Sequence, residues 1–123
     1  MSDSISRIVC IVDDDEAVRD SLGLLLESAG LSTCRHESAD AFLQADAQEI
    51  SCFILDLHMP GTSGLELLRL LRRRGVSQPI IVVSGRRDPQ LDAEVQAAGA
   101  TELLSKPFDD EVLLNLVLGA VAA

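Results

Sequence analysis

The stretch Phe53-Ile54-Leu55-Asp56-Leu57-His58-Met59-Pro60-Gly61 is a short apolar run that delivers one carboxylate and breaks off at a Pro-Gly turn. A run this short and apolar, bounded by turn residues, is the pattern of a strand buried on both faces, the habit of a central strand in a parallel sheet. Asp56 then stands at the strand's carboxyl end, the edge of an open α/β sheet where ligands bind. An acid there can also cap or solvate a turn, so the other strand ends have to decide.

At 123 residues the chain has the size of one domain, 1–123, with room for a real core. Hydrophobic residues at 47% and charged residues at 24% mark an ordinary globular composition. No apolar run approaches the roughly 20 residues needed to cross a bilayer. Met1-Ser2-Asp3-Ser4-Ile5-Ser6-Arg7 lacks the basic start and apolar stretch of a signal peptide. A cytoplasmic location with no membrane partner is expected. Cys10, Cys34 and Cys52 form no close pair or metal-type spacing in the sequence, which predicts reduced, buried and inert thiols. A formal net charge of -10 repels phosphate backbones, so the chain alone is not expected to bind nucleic acid.

Ile8-Val9-Cys10-Ile11-Val12 is a second buried-strand run and ends in Asp13-Asp14-Asp15-Glu16. Capping and the helix dipole account for Asp15 and Glu16. Asp13 and Asp14 sit where the strand stops and need another reason. The helix that follows carries Val18, Leu22, Leu25, Leu26 and Ala29 on one face and ends at Gly30. Leu31 to His36 is a weaker, edge-type strand. Ser38 caps a short helix burying Ala41 and Phe42 or Leu43. After the central strand, Ser63-Gly64-Leu65-Glu66 has capping-box spacing, and its helix closes with Arg72-Arg73-Arg74-Gly75, read as dipole complement rather than phosphate binding. Pro79 to Gly85 is the fourth strand and delivers Ser84. A short alanine-rich helix from Pro89 to Ala98 offers little large apolar area and is expected to be the most loosely held. Thr101 to Ser105 is the fifth strand, ending in Lys106-Pro107. The last helix starts at Asp109 or Asp110 and runs to about Ala120.

Five strands alternating with five helices make a doubly wound, flavodoxin-like α/β fold with a parallel sheet covered on both faces. With the strands ordered 2-1-3-4-5, the ends of the first and third flank the switch point. Asp13, Asp14, Asp56, Ser84 and Lys106 then converge at one edge. Carboxylates so gathered repel by about 4 kcal/mol for a pair 4 Å apart at an effective dielectric of 20. The cluster needs a cation or must take up protons. Acidic oxygens with few protein ligands suit Mg²⁺. Lys106 adds a positive charge and Ser84 a hydroxyl donor, and the whole is a phosphoryl site with a buried carboxylate as nucleophile.

The acidic pair after the first strand, Asp56 within Leu55-Asp56-Leu57-His58-Met59-Pro60-Gly61, the Ser84-Gly85 pair and Lys106-Pro107 together resemble the receiver domain of two-component response regulators. Met59-Pro60-Gly61-Thr62-Ser63-Gly64-Leu65-Glu66-Leu67 looks closest to the nitrogen-fixation type of regulator. The resemblance implies that Asp56 is the phosphoacceptor, served by a sensor histidine kinase. It implies that Asp13, Asp14, Asp56 and the backbone carbonyl of His58 hold Mg²⁺, that Ser84 is the switch hydroxyl, and that Lys106 is the counter-ion, with a cis Lys106-Pro107 bond. Such a domain is no enzyme in the usual sense but assists its own phosphorylation and dephosphorylation. In the family a DNA-binding domain usually follows, so the chain is expected to be a stand-alone or an excised receiver.

One departure is Leu103, three residues before Lys106, where the family usually carries Tyr or Phe; aromatic rotation cannot be the readout. His58 and Arg86 are expected to border the path of the hydrolytic water. In the last helix Val112, Leu113, Leu116, Val117 and Ala120 form the expected sheet-facing stripe, leaving Leu114 and Leu118 exposed as a surface for homodimerisation on phosphorylation through the fourth helix, fifth strand and fifth helix. Other readings remain. A flavodoxin-like cofactor binder would need a phosphate-cradling loop where Asp13-Asp14-Asp15 stands, and aromatic stacking residues, but there is no Trp or Tyr. A haloacid-dehalogenase-type phosphatase would place its nucleophile after the first strand. A degenerate receiver would be a protein-binding module only, against which intact Asp56, Ser84 and Lys106 argue.

Overall fold

The five apolar runs become five strands, β1 (Ile8–Val12), β2 (Ser32–His36), β3 (Cys52–Asp56), β4 (Ile80–Ser84) and β5 (Glu102–Ser105). All pair in parallel, in the order β2-β1-β3-β4-β5. This is the computed structural model of the chain, which describes residues 7–45 and 49–122; the sequence reading of Met1–Ser6 falls outside them. Every residue of β3 and β4 is buried, as expected of central strands lacking polar alternation. β2 and β5 are the edges, and both admit exposed side chains.

Helices α1 (Glu16–Ser28), α2 (Ala39–Gln44), α3 (Gly64–Arg73), α4 (Pro89–Ala97) and α5 (Asp110–Ala122) fill the crossovers. Their starts follow local chemistry. The Asp15 carboxylate accepts from the Ala17 and Val18 N–H groups, Ser38 Oγ from Ala41, and Asp88 from Gln90 and Leu91. At α3 the capping box is complete, with Glu66 N–H donating to Ser63 Oγ (3.2 Å) and Ser63 N–H donating to Glu66 Oε1 (3.0 Å). Gly30 and Gly75, at φ of 89° and 85°, stop α1 and α3 in the left-handed conformation that a side chain resists.

Strand alternation divides the core in two. On one face Cys10, Val12, Phe53, Leu55, Ile80 and Val82 pack under α2, α3 and α4; on the other Val9, Ile11, Ile54, Ile81 and Val83 pack under α1 and α5. α4 buries only Val95 completely and α2 only Ala39, so burial does not single out α4 as the most loosely held helix. α2 buries Ala39, while Ala41, Phe42 and Leu43 are half-buried.

Three sequence readings are corrected. α5 turns Leu113, Val117 and Val121 to the sheet, leaves Val112 49% exposed, and packs Leu114 and Leu118 half-buried against the core, so the two leucines are not a free patch. Seven of its thirteen residues are Leu or Val, and a helix so evenly apolar gives its sequence period no phase. Cys10 and Cys34 stand opposite each other across β1 and β2, so the thiols do form a close pair. Arg72 also does more than complement a dipole. It donates to the carbonyls of Gly99 (3.1 and 2.8 Å), Val76 (2.8 Å) and Gln78 (2.8 Å), tying the turn before β5 to the loop before β4.

Gly64 fixes how closely α3 approaches the end of β3, because a Cβ there would stand 2.2 Å from the Asp56 carbonyl oxygen and 2.8 Å from the Leu57 Cα. Both obstacles are backbone and cannot step aside cheaply. A Cβ at Gly119 in α5 meets nothing within 4 Å. Gly64→Ala should lower the stability measured by urea unfolding by about 1–3 kcal/mol, while Gly119→Ala should gain about 0.5–1 kcal/mol. Equal effects at the two positions would contradict this account of α3.

Candidate functional site

The carboxyl ends of β1, β3 and β4 and the turn after β5 meet at one edge, and the sheet order makes this unavoidable: β1 and β3 are neighbours whose connections leave in opposite directions. Asp13 and Asp56 are almost wholly buried there, and Asp14 is exposed beside them. Carboxylate oxygens of Asp13, Asp14 and Asp56 lie within 4.8 Å of one another. Lys106 reaches in from the far side, its Nζ 3.0 Å from Asp13 Oδ2 and 3.5 Å from Asp56 Oδ1. The peptide bond after it, Lys106-Pro107, is cis.

Each acid is held separately. Asp13 Oδ1 accepts from the Asp15 N–H (2.9 Å), and the Asp13 carbonyl accepts from Arg19 Nη1 (2.7 Å). Asp56 Oδ1 accepts only a longer bond from the His58 N–H (3.3 Å). Burial, then the charge of Asp13, push the Asp56 carboxyl up to about 7, partly offset by Lys106. Burial pulls the Lys106 ammonium down, but the hydrogen bond and charge of Asp13 and the charge of Asp56 outweigh it and raise its pKa. The site therefore has more negative charge than one lysine satisfies. A hard cation fits this oxygen donor set, and a phosphoryl group accompanied by such a cation fits the lysine.

Ser84 is fully buried at the end of β4. Its hydroxyl donates to the Arg86 carbonyl and accepts from the Arg86 N–H (3.2 Å). It also lies 3.2 Å from His58 Nε2. The side chain of His58 thus touches the residue read from the sequence as a switch. That pairing was not legible in the sequence, because the two residues are 26 apart and only the β3–β4 register brings them together. Sequence reading also missed Arg87, which donates to Asp92 Oδ2 (2.8 Å) and Ser105 Oγ (2.8 Å) and so bridges α4 to β5. The Arg86 side chain is exposed and lines a surface cavity of about 500 Å³ with His58, Asp88 and Leu91. Leu103 is half-buried against the core on the α4 side.

All five of Asp13, Asp14, Asp56, Ser84 and Lys106 therefore lie at this edge, as the sequence order implied. The sequence model of the response regulator receiver domain matches residues 9–118. The transcriptional regulatory protein FixJ of Azorhizobium caulinodans is 46% identical over 110 residues, covering 89% of this chain and 52% of that protein. The C4-dicarboxylate transport transcriptional regulatory protein DctR of Rhodobacter capsulatus is 41% identical over 97% of this chain and 62% of its own length. The chain thus spans about half the length of the curated relatives it matches. Among solved structures, that of FixJ-N superposes with a TM-score of 0.82 at 38% identity, over 99% of this chain and 96% of that one. A CheY-like receiver domain protein from Methanospirillum hungatei reaches 0.89 at 24% identity, covering 96% and 95%, and shows the shared fold.

The raised Asp56 pKa carries a stability cost with a definite sign. A carboxyl whose folded pKa lies above its unfolded value of about 3.9 opposes folding when ionised. The cost is absent below the unfolded value, grows as pH rises towards about 7, and is constant above that. Asp56→Asn in chelator-treated buffer should therefore be more stable than wild type at pH 8, by up to about 4 kcal/mol at 1.36 kcal/mol per pKa unit. The gain should shrink towards pH 4. A gain independent of pH in urea unfolding would refute the electrostatic origin.

Proposed function

Because the chain belongs to the response regulator receiver domain family of two-component systems, we propose that Asp56 is its phosphoacceptor and that the donor is the phosphohistidine of a sensor histidine kinase. The supporting observation is the single ammonium of Lys106 set between two buried carboxylates at the sheet edge. In the transfer, an Asp56 carboxylate oxygen attacks phosphorus, a P–O bond forms, the P–N bond breaks and the electron pair leaves with the donor imidazole. Lys106 neutralises charge on the phosphoryl oxygens as it develops. Asp13 stays pinned by the Asp15 N–H and holds Lys106 in place.

Asp13, Asp14, Asp56 and the carbonyl of His58 would hold Mg²⁺, which would screen the repulsion between the acids and the incoming phosphoryl group. The fit rests on this structure's own donors: three carboxylates within reach of one another, of which Asp56 is raised by burial and then by the charge of Asp13. His58 and Arg86 border the approach to Asp56 and govern how long the phosphoryl group survives, His58 through its hold on the Ser84 hydroxyl. The domain in this way assists its own dephosphorylation.

Output follows from Ser84. Once a phosphoryl group competes for its hydroxyl, the bonds to His58 and Arg86 loosen, and α4, anchored by Val95 and the Arg87 bridge, is the element that can respond. The shift favours a homodimer through the face of α4, β5 and α5. Val112 is the exposed apolar residue of that face, in place of Leu114 and Leu118.

With acetyl phosphate and Mg²⁺, wild type should take up about one acid-labile phosphate per chain, Asp56→Asn none, and Lys106→Ala at least tenfold less quickly, about 1.4 kcal/mol of barrier. Uptake by Asp56→Asn at the wild-type rate would remove the assignment. Sedimentation with beryllofluoride should show wild type shifting to dimer and Val112→Glu remaining monomeric. A wild-type monomer under both conditions would discard the dimer while leaving the phosphoacceptor untouched.

A further inference from the structure

We infer that Cys10, Cys34 and His36 form a binding site for a soft, thiophilic cation, monovalent copper, on the sheet face beneath α2. The register of the sheet creates the site. Cys10 of β1 is paired with Cys34 of β2, which directs both thiols to the same face, and a step of two along β2 returns His36 to that face beside Val12. The two sulfurs and an imidazole nitrogen lie within 4.8 Å of one another. Three donors on one ion need separations of just under 4 Å at metal–sulfur bonds near 2.3 Å, so side-chain rotation of less than an ångström closes the set.

The donors and their surroundings select the ion. Two thiols and an imidazole are soft to borderline ligands, and among the described residues no carboxylate joins them. Cys10 is buried, while Cys34 and His36 are half-buried near the sheet edge. Phe42 stands edge-on to His36 with ring centres 5.5 Å apart, and Phe53 stands edge-on to Phe42 at 5.9 Å. Zinc would require a fourth ligand, which no other His, Cys, Asp or Glu among the described residues supplies, whereas a d¹⁰ monovalent ion is content with three. Burial holds the His36 imidazole below its ordinary pKa and keeps its lone pair free. The contact between the thiols raises Cys10, with burial acting the same way, and lowers Cys34 against the opposing effect of burial. Binding releases the two thiol protons to solvent and changes no oxidation state. A cavity of about 310 Å³ lined by His36, Phe42, Phe53 and Leu43 supplies an entry path.

The site is separate from the acidic edge but adjoins it, because the His36 carbonyl accepts from the Asp13 N–H at 3.1 Å. Cys52 faces the opposite side of the sheet, among Val9 and Ile54, and serves as an internal control.

The test is an anaerobic titration of the reduced protein with monovalent copper against bicinchoninate, followed by near-ultraviolet sulfur-to-copper absorption. Wild type and Cys52→Ala should each bind one equivalent with equal affinity. Cys34→Ser should lose at least about 100-fold and His36→Gln about tenfold in affinity. In wild type, bound copper should protect Cys34 from iodoacetamide, a readout that needs no variant. Unchanged affinity in Cys34→Ser, equal loss in Cys52→Ala, or no protection of Cys34 would overturn the site. Tighter binding of Zn²⁺ than of monovalent copper at the same residues would overturn the choice of ion.

Discussion

One lysine facing two buried carboxylates sets the terms for the rest of the molecule. Asp13 and Asp56 are taken out of water at the ends of β1 and β3, and Lys106, delivered by the turn after β5, is the cation within 4 Å of both. Such an arrangement is costly unless the geometry is held from several sides. The fold supplies that holding: the Asp15 N–H fixes Asp13, Arg19 fixes its carbonyl, and Gly64 lets α3 approach the backbone of Asp56. What remains unbalanced is stored as an ionisation cost at Asp56, the residue best placed to be relieved by an incoming charged group.

Much of this was legible in the sequence because it depends on local rules. The apolar runs of β1, β3 and β4 are too short and too uniform for anything but buried strands, and Asp15, Ser38 and Ser63 announce helix starts by hydrogen bonds within three residues. Strand ends in a parallel sheet all point one way, so listing the residues at those ends was enough to assemble the site.

What escaped the sequence depends on relations across the sheet or on rotation about an axis. The Cys10–Cys34 pair exists only through the β1–β2 register, and His58 meets Ser84 only through the β3–β4 register. The sequence starts α5 at the right residue but ends it two residues short and turns it to the wrong phase, since Leu and Val at neighbouring positions give several nearly equal apolar stripes. There Val121, beyond the expected end of the helix, joins Leu113 and Val117 in deciding which stripe meets the sheet.

The Arg72 guanidinium has a mechanical consequence. It binds carbonyls from two loops at the amino ends of β4 and β5, and hydrogen bonds to a charged group are worth about 1.5–3 kcal/mol each. At the opposite ends of the same strands, the Lys106 N–H donates to the Ser84 carbonyl (2.7 Å) and an exposed arginine, Arg87, bridges α4 to Ser105. The β4–β5 half of the sheet is therefore riveted at one end and latched at the other. A displacement imposed at Ser84 would meet its firmest restraint near Arg72, at the amino ends of β4 and β5, and less restraint at the α4 amino terminus.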